Sequence, residues 1–214
     1  TAIPLGGVYL ITGGMGKVAR MLANQLINKL QATVILVGRK PLSEDQKKAL
    51  KQSKITSYIQ ADISEPSQVD QLFEAITKRF TKISGVFHLA GVIEDCLIEN
   101  KTADSLKRVL EPKISGARNI IKASQRYPIS KIVLFSSLSG WVGNLGQADY
   151  AFANAYMDAL ARSERETQVL SVDWGLIKDG GMMMQDELLE GLTEDEVFDF
   201  VTHVFTNEIR HSLF

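Results

Sequence analysis

Short apolar runs alternate with amphipathic helical patterns along almost the whole chain, and this alternation limits the folds that the sequence can adopt. The runs at residues 8–11 and 33–37 are apolar at successive positions, so both faces of the strands that they predict must be covered. Residues 17–30, between them, place apolar side chains at helical spacing. Strands separated by helices and covered on both faces predict an α/β fold, a doubly wound parallel β-sheet with helices on both faces.

The rest of the chain continues this order and predicts a Rossmann-like arrangement. Further strands are predicted at residues 55–60, 85–89, 131–135 and 169–174 and from about Ser212, and further helices at residues 43–52, after Ser64-Glu65-Pro66, and at residues 105–124, 147–162 and 195–205. Residues 177–192 are the least regular, with two adjacent glycines and three adjacent methionines. They predict either a mobile cover over an apolar ligand or a plain surface loop.

Composition predicts an ordinary globular protein and argues against several kinds of partner. Of the 214 residues, 45% are hydrophobic and 23% are charged, and the formal net charge of −1 provides no field to recruit nucleic acid or an anionic membrane. No apolar run approaches the roughly 20 residues that span a bilayer, and residues 1–5 lack the features of a signal peptide. The single cysteine, Cys96, predicts a reducing, cytoplasmic setting. No metal site is predicted.

A glycine-rich segment follows the first predicted strand and precedes the first predicted helix. Its sequence, Thr12-Gly13-Gly14-Met15-Gly16-Lys17-Val18-Ala19, fits the dinucleotide-binding fingerprint with alanine in the last place. Glycines let backbone amides approach a pyrophosphate, and the start of the helix adds partial positive charge. Residues 12–16 are therefore predicted to bind a dinucleotide.

Residues at the ends of the following strands predict which dinucleotide binds. Arg39, after the second strand, suits a ribose 2′-phosphate, whereas an acidic residue there would hold a free 2′-hydroxyl, so we expect NADPH. Asp62 and Ile63 follow the third strand, where the carboxylate can accept a hydrogen bond from an adenine amine or cap the next helix. Ala90 and Gly91 follow the fourth strand, where small residues let a cofactor lie close.

The most informative spacing lies between residues 137 and 154. Ser137 comes thirteen residues before Tyr150, and Asn154 comes four after it, so Tyr150 and Asn154 share a helix face. A strand end, a glycine-rich turn and a helix can bring the hydroxyl and the phenol together, which is the layout of a proton-donating site. A phenol with a pKa near 10 donates its proton near neutral pH only if a nearby cation lowers that pKa. Asn154 is uncharged, so here the cation must come from elsewhere.

These segments together make the chain resemble a short-chain dehydrogenase/reductase, and more narrowly the ketoreductase domain of a modular polyketide synthase. The matching segments, in the expected order along most of the chain, are Tyr9-Leu10-Ile11-Thr12-Gly13-Gly14, His88-Leu89-Ala90-Gly91-Val92, Leu110-Glu111-Pro112-Lys113, Phe135-Ser136-Ser137, Gly143-Asn144-Leu145-Gly146-Gln147-Ala148-Asp149-Tyr150 and Asp173-Trp174-Gly175. In many members of the wider superfamily a lysine stands four residues after the tyrosine. In the ketoreductase family this lysine and an asparagine have exchanged places. The resemblance therefore assigns Lys113 as the cation and Asn154 as its polar partner; a solvated Lys113 near a helix bend at Pro112 is the alternative.

The resemblance implies an NADPH-dependent ketoreductase that acts on a β-ketoacyl chain, carried as a phosphopantetheine thioester on an acyl carrier protein. Tyr150 would donate the proton to the carbonyl oxygen, and Ser137 would form a hydrogen bond with the same oxygen. Lys113 would lower the pKa of Tyr150 and hold the nicotinamide ribose. Asn154 would position Lys113 or a proton-relay water.

The resemblance also implies a product configuration. Ile93-Glu94-Asp95 stands where family members that form the D (3R) alcohol carry Leu-Asp-Asp, and it retains the last aspartate, Asp95. The opposite class carries a tryptophan eight residues before the tyrosine, and that position here is Val142. A D alcohol is therefore expected. Gln147 and Met182 are also assigned to the substrate side, Met182 in a segment like the lid of ketoreductases from bacterial assembly lines whose acyltransferases act in trans.

Residues 1–214 are expected to be one NADPH-binding catalytic domain, excised from a larger multidomain synthase. Its neighbours would include a non-catalytic structural ketoreductase half. Lys17 and Ala19 stand where the family commonly has glycine, which favours one alternative, a cofactor-binding or scaffolding domain that reduces nothing. A free-standing 3-oxoacyl reductase is a separate alternative.

Overall fold

The computed structural model describes residues 3–178, 191–206 and 211–213, the last group as a strand only. Its elements are the strands β1 (Val8–Thr12), β2 (Thr33–Gly38), β3 (Ser57–Gln60), β4 (Gly85–His88), β5 (Ile132–Ser137), β6 (Val169–Trp174) and β7 (His211–Leu213), and the helices α1 (Lys17–Leu30), α2 (Glu44–Gln52), α3 (Pro66–Thr77), α4 (Ala103–Ser124), α5 (Ser139–Val142), α6 (Ala148–Ser163) and α7 (Glu194–Thr206). Every element predicted from the sequence is present, with boundaries that agree to within about two residues.

The described strands form one parallel sheet with the order β3-β2-β1-β4-β5-β6-β7. The chain builds outward from β1 to β3 and then returns to the other side of β1, so the order reverses between β1 and β4. The connections leaving these two strands diverge at their carboxyl ends and open a crevice, which is where open α/β sheets bind ligands. The predicted doubly wound parallel sheet is confirmed.

Helices cover both faces of the sheet and enclose two apolar cores. On one face, α1 and α7 pack over a core that includes Tyr9 and Phe87. On the other face, α3, α4 and α6 pack over a core that includes Leu10 and Val86. Successive residues of one strand thus point to opposite cores, which explains why the strands are apolar at successive positions.

Helix α4 has a proline in its interior. A capping box begins the helix: Ser105 N–H donates to Thr102 Oγ1 at 3.1 Å, and Thr102 N–H donates to Ser105 Oγ at 3.0 Å. Pro112 cannot donate a hydrogen bond to the carbonyl four residues earlier, yet the helix continues past it. Gly116 lets α4 approach the sheet closely, because a Cβ atom there would lie only 3.1 Å from His88 Cε1. This close approach carries the preceding turn of α4, with Lys113, under the carboxyl edge of the sheet.

One α-helix was not predicted. Helix α5 forms a single turn directly after β5, where the sequence indicates only a glycine-rich turn. Gly140 lets this turn pack on α6, because a Cβ atom there would lie 3.0 Å from the backbone nitrogen of Ala155. A four-residue helix is too short to show a periodic apolar pattern, so this contact has no signal in the sequence.

Two further observations concern the described residues as a whole. Of the helices that they form, none combines the length and the apolar character that a bilayer-spanning segment needs. Within the same residues, no three His, Cys, Asp or Glu side chains are grouped so that they could hold a metal ion.

Candidate active site

A cleft runs along the carboxyl edge of the sheet and consists of two adjoining cavities, of about 640 Å³ and about 260 Å³. Gly13, Gly16 and Gly91 line both, so the two are continuous. Every residue that was assigned to the cofactor lines this cleft: the larger cavity has Thr12, Gly13, Gly14, Met15, Gly16, Arg39, Asp62, Ile63, Ala90 and Gly91, and the smaller has Lys113 and Tyr150. The fold thus brings together residues that are up to 138 positions apart in the sequence, from Thr12 to Tyr150.

The loop between β1 and α1 has a backbone that glycine adopts most readily. Gly13 and Gly14 have φ angles of 103° and 60°, both in the left-handed region. A Cβ atom at Gly13 would lie 3.2 Å from the backbone of Leu89, and Gly14 N–H donates to Val37 O at 2.7 Å. Gly16, before α1, provides no side-chain cap, so the first N–H groups of the helix remain available to an anion. The geometry suits a pyrophosphate.

Lys17 and Ala19, the two departures from the family pattern, fit this loop without strain. Lys17 is the first residue of α1 and is exposed, and among the described non-glycine residues only Gln31 has a positive φ. Ala19 is buried in the core beneath the loop. Neither side chain therefore requires a backbone conformation that disfavours it.

The ends of β2 and β3 provide charged groups at the far end of the larger cavity. Arg39 and Lys40 are exposed and line this cavity. Asp62 Oδ1 accepts a hydrogen bond from Ser64 N at 3.0 Å and another from the Ser64 hydroxyl. Helix α3 instead begins after Glu65, with Pro66 as its first residue. Asp62 therefore stabilises the turn before α3 rather than capping the helix, and one of the two interpretations of this carboxylate is excluded.

Thr12 and His88 join the carboxyl ends of β1 and β4. Thr12 Oγ1 lies 2.9 Å from His88 Nδ1 and accepts a hydrogen bond from Ala90 N at 3.2 Å. His88 is fully buried, and burial, together with the positive charge of Lys113, lowers its pKa to about 3. Since the imidazole of His88 stays neutral near neutral pH, it cannot serve there as a cationic proton donor, and its contact with Thr12 joins β1 to β4 at the base of the cleft.

Lys113 is buried and lies beneath Tyr150. Only 2% of its surface is exposed, its Nζ donates to Phe135 O at 3.0 Å, and the same nitrogen lies 5.2 Å from the centroid of the Tyr150 ring. Burial lowers the pKa of Lys113 to about 7, although the charge of Asp158 opposes the change. The alternative of a solvated lysine beside Pro112 is therefore excluded.

The net shift of the Tyr150 pKa is opposite to the expected one, and the prediction needs a correction. The pKa of Tyr150 is raised rather than lowered, because burial outweighs the opposite influence of hydrogen bonds with Asn154 and Ser137. The negative charge of Asp95 adds to the rise. Burial of a phenol favours its neutral form, and the sequence does not reveal how deeply the ring is buried. Tyr150 therefore keeps its proton at neutral pH, which is the state that a proton donor needs.

Asn154 holds the backbone around Tyr150 and does not contact Lys113 directly. Its Nδ2 donates to Tyr150 O at 2.9 Å and to Ser139 Oγ at 3.5 Å, and its backbone carbonyl accepts from Ser136 Oγ at 3.3 Å. Its Oδ1 is buried and has no hydrogen-bond partner among the described residues. Of the two functions that the resemblance implies, direct positioning of Lys113 is not seen. A buried acceptor without a partner is the kind of atom that a bridging water satisfies.

Two buried carboxyl groups behind the site were not assigned any function from the sequence. Asp158, on α6, accepts a hydrogen bond from Ser171, and Asp173, on β6, accepts one from Trp141 Nε1 at 2.9 Å. Burial raises the pKa of Asp173 to about 7, against the hydrogen bond with Ser136, and the charge of Asp158 adds to the rise. An acidic residue two turns after Tyr150 on the buried face of a helix is a signal that could have identified Asp158.

The residues assigned to the substrate side are only partly brought together. Gln147 Nε2 donates to Asp95 Oδ2 at 3.1 Å, which places both residues beside Tyr150. Val142 ends α5 and is 83% exposed. The preceding residue, Trp141, is anchored by its hydrogen bond to Asp173. Met182 and most of the expected lid lie outside the described residues.

Comparison with known proteins gives a consistent result. A family model described as "KR domain" matches residues 7–179. Similar curated proteins include polyketide synthase PksN of Bacillus subtilis (strain 168), 42% identical over 202 residues, and polyketide synthase PksL of the same strain, 39% identical over 194 residues. These matches cover 88% and 85% of this chain but only 4% of each relative. The chain thus spans a small part of the length of the curated relatives that it matches.

Solved structures agree with the sequence matches. A ketoreductase domain from the bacillaene assembly line is similar with a TM-score of 0.87 and 32% identity, over 96% of this chain and 54% of that chain. An N-terminal ketoreductase from the macrolactin assembly line is similar with a TM-score of 0.84 and 32% identity, over 99% of this chain and 45% of that chain. This chain therefore spans about half of each of these two structures.

Proposed function

The chain belongs to the KR domain family, the ketoreductase domains of polyketide synthases, and from this membership we propose that it uses NADPH to reduce a β-ketoacyl thioester on an acyl carrier protein to the β-hydroxyacyl thioester. The observation that carries this proposal is the buried amine of Lys113 under the ring of Tyr150. Ser137 lines the same cavity. The phenol, the hydroxyl and the buried amine thus surround one small space that adjoins the glycine loop, which supports the proposed proton transfer.

The residues of the cleft fit a phosphorylated dinucleotide. Gly14 and Gly16 leave room for a pyrophosphate beside the first turn of α1, and Arg39 would hold the 2′-phosphate that distinguishes NADPH from NADH. Ala90 and Gly91 are small where the cofactor would pass from the larger to the smaller cavity. Bound there, NADPH supplies a hydride to the substrate carbonyl.

Side chains of the protein would transfer the proton to the substrate and replace it afterwards. Tyr150 holds its proton at neutral pH and would donate it from Oη to the carbonyl oxygen, while Ser137 would donate a hydrogen bond to the same oxygen. The phenolate left on Tyr150 would lie beside Lys113, whose ammonium form stabilises it. A water on the orphaned Oδ1 of Asn154 would complete a path by which the pair recovers its proton.

The smaller cavity suits an acyl chain. Apolar side chains of Ile93, Phe135, Trp174 and Leu176 line it together with the polar groups, as is usual for sites that bind apolar ligands. Asp95, held by Gln147 beside Tyr150, supports the D configuration that the family motif implies.

The catalytic unit would act beside other domains. In two of its curated relatives, polyketide synthases PksN and PksL, it corresponds to 4% of the length, and it spans about half of each of two similar ketoreductase structures. Residues 1–214 would thus provide the catalytic half, next to a structural half. The acyl carrier protein would present the substrate at the open side of the cleft.

Turnover assays with three substrates test the proposal and its alternatives. The folded protein should oxidise NADPH with a β-ketoacyl chain on an acyl carrier protein, with NADH at least about tenfold less effective. A folded protein that binds NADPH but oxidises none with any β-ketoacyl thioester would be the silent scaffold instead. Much faster turnover of unattached ketones than of carrier-bound chains would indicate a free-standing reductase.

A further inference from the structure

A buried ion pair joins Lys101 to Asp149 beside the proposed catalytic tyrosine. Lys101 Nζ lies 2.8 Å from Asp149 Oδ2, and each side chain is 1% exposed. The other ion pairs among the described residues all join side chains that are at least 31% exposed. Burial disfavours the charge of Lys101, but the attraction of Asp149, with a further contribution from Cys96, outweighs it and raises the pKa of Lys101. Burial of two paired charges adds little stability on balance, whereas removal of one partner leaves an uncompensated buried charge.

The pair connects two segments that border the smaller cavity. Lys101 ends the connection from β4 to α4, which contains Ile93 at the cavity wall and Asp95. Asp149 directly precedes Tyr150, and its second oxygen, Oδ1, accepts from Tyr150 N at 2.9 Å. Lys101 Nζ also donates to Glu94 O at 2.6 Å. One ammonium group therefore joins the residue before Asp95 to the residue before Tyr150.

Two more contacts join the same two segments. Cys96 N–H donates to Gly146 O at 3.1 Å, and Gln147 Nε2 donates to Asp95 Oδ2 at 3.1 Å. They place Asp95 and Cys96 against the residues that lead into α6. Of these contacts between the two segments, only the one between Lys101 and Asp149 is both charged and buried. Removal of either side chain's charge would therefore leave the other charge buried without a partner.

We propose that the Lys101–Asp149 ion pair is a positioning pair that determines which face of the ketone is reduced, because it locks the wall bearing Ile93 and Asp95 at one distance and orientation from Tyr150. An acyl chain can then enter the smaller cavity from one side of that wall only. Neither residue contacts the reacting atoms. The effect on the face of reduction rests on the reaction proposed above. The positioning of the cavity wall does not depend on that reaction.

The ratio of the two alcohol enantiomers formed tests the proposal most directly. Lys101→Met removes the charge and keeps the apolar stem, and Lys101→Arg restores the charge. We expect Lys101→Met to lower the ratio of the two alcohol enantiomers at least tenfold, with kcat reduced by less than that factor, and Lys101→Arg to recover most of the ratio. The control, Lys107→Met, breaks the exposed Lys107–Glu111 pair on α4 and should leave the ratio unchanged.

Folding and function can be separated in the same series. If Lys101→Met does not fold, the double variant Lys101→Met/Asp149→Asn leaves no buried charge unpaired and keeps an acceptor for Tyr150 N, and its enantiomer ratio is measured instead. Hydrogen exchange gives a readout that does not require turnover: amides of residues 94–101 and 146–150 should exchange faster in Lys101→Met than in wild type, and not in Lys107→Met. An unchanged ratio or unchanged exchange in the folded variants would overturn the proposal. If the wild-type protein showed no turnover, only the proposed reduction would be refuted. The hydrogen-exchange comparison would still test whether the ion pair positions the cavity wall.

Discussion

The Nζ atom of Lys113 lies 5.2 Å from the centroid of the Tyr150 ring, and a 3.0 Å hydrogen bond to Phe135 O holds it there. Burial lowers the pKa of Lys113 to about 7 and raises the pKa of Tyr150, so near neutral pH the phenol keeps its proton and the amine is divided between its charged and neutral forms. Transfer of the phenolic proton to a substrate creates a phenolate beside this amine. The phenolate then favours a protonated Lys113, which couples the proton content of the two groups.

Replacement of Lys113 should reveal the cost of burying its charge. Its pKa is 10.5 in the unfolded chain and about 7 in the folded protein, so below pH 7 it is charged in both states and the folded state bears the full cost. The cost falls as the pH rises from about 7 to 10.5 and is absent above that range. Lys113→Met should therefore be more stable than wild type at acidic to neutral pH, by on the order of 1–4 kcal/mol, and the difference should shrink towards pH 10.

Denaturant unfolding at several pH values measures this difference in the free energy of unfolding. Lys48→Met is a suitable control, because Lys48 lies exposed on α2. A Lys113→Met variant that is less stable than wild type near pH 6, with a difference that does not depend on pH, would show that the amine is not buried at such a cost.

The charge of Asp158 should control the alkaline limb of the activity profile. We expect kcat/KM to fall as the pH rises through the pKa of Lys113, since the neutral amine no longer stabilises a phenolate. Asp158 raises that pKa, so Asp158→Asn should move the alkaline limb to lower pH, by about half a unit to one unit. Asp45→Asn, on the exposed face of α2, is the matched charge deletion and should not move it. A limb that stays in place or moves to higher pH in Asp158→Asn would contradict the proposed link between Asp158 and Lys113.

Arg39 should determine the choice of cofactor. Loss of a charge-assisted contact costs about 1.5–3 kcal/mol, so Arg39→Ala should raise the KM for NADPH roughly 10- to 100-fold and leave the KM for NADH nearly unchanged. Steady-state kinetics with both cofactors measure this, with Lys48→Ala as the exposed control. Equal changes for the two cofactors would mean that Arg39 does not contact the 2′-phosphate.

Local patterns in the sequence predicted the elements and their order well. Residues 17–30 and 169–174 were predicted with the boundaries that α1 and β6 have, because periodicity and flanking turn residues are local properties. The glycine loop was predicted for the same reason, since Gly13 and Gly14 adopt the positive φ angles that such a turn requires.

Features that depend on contacts between distant segments were not predicted. The direction of the Tyr150 pKa shift depends on how closely α4, α6 and β5 pack around the ring, and periodicity contains no information on that distance. The Lys101–Asp149 pair joins residues that are 48 positions apart, and each alone resembles an ordinary surface charge in the sequence. Asp158 and Asp173 meet only because α6 lies over β6.

The rate of a single turnover in Lys113→Met, at saturating NADPH and with a β-ketoacyl thioester, tests the proposed proton donation most directly. Because NADPH is saturating, a weaker affinity of the variant for NADPH does not change the measured rate. The unfolding curve of the variant verifies that it is folded. We predict a rate at least about 100-fold below that of wild type, approaching the loss in Tyr150→Phe, because the phenolate then forms without a cation beside it. A Lys113→Met rate within about threefold of wild type, with Tyr150→Phe inactive, would contradict the account, since the phenol would then donate its proton without the buried amine.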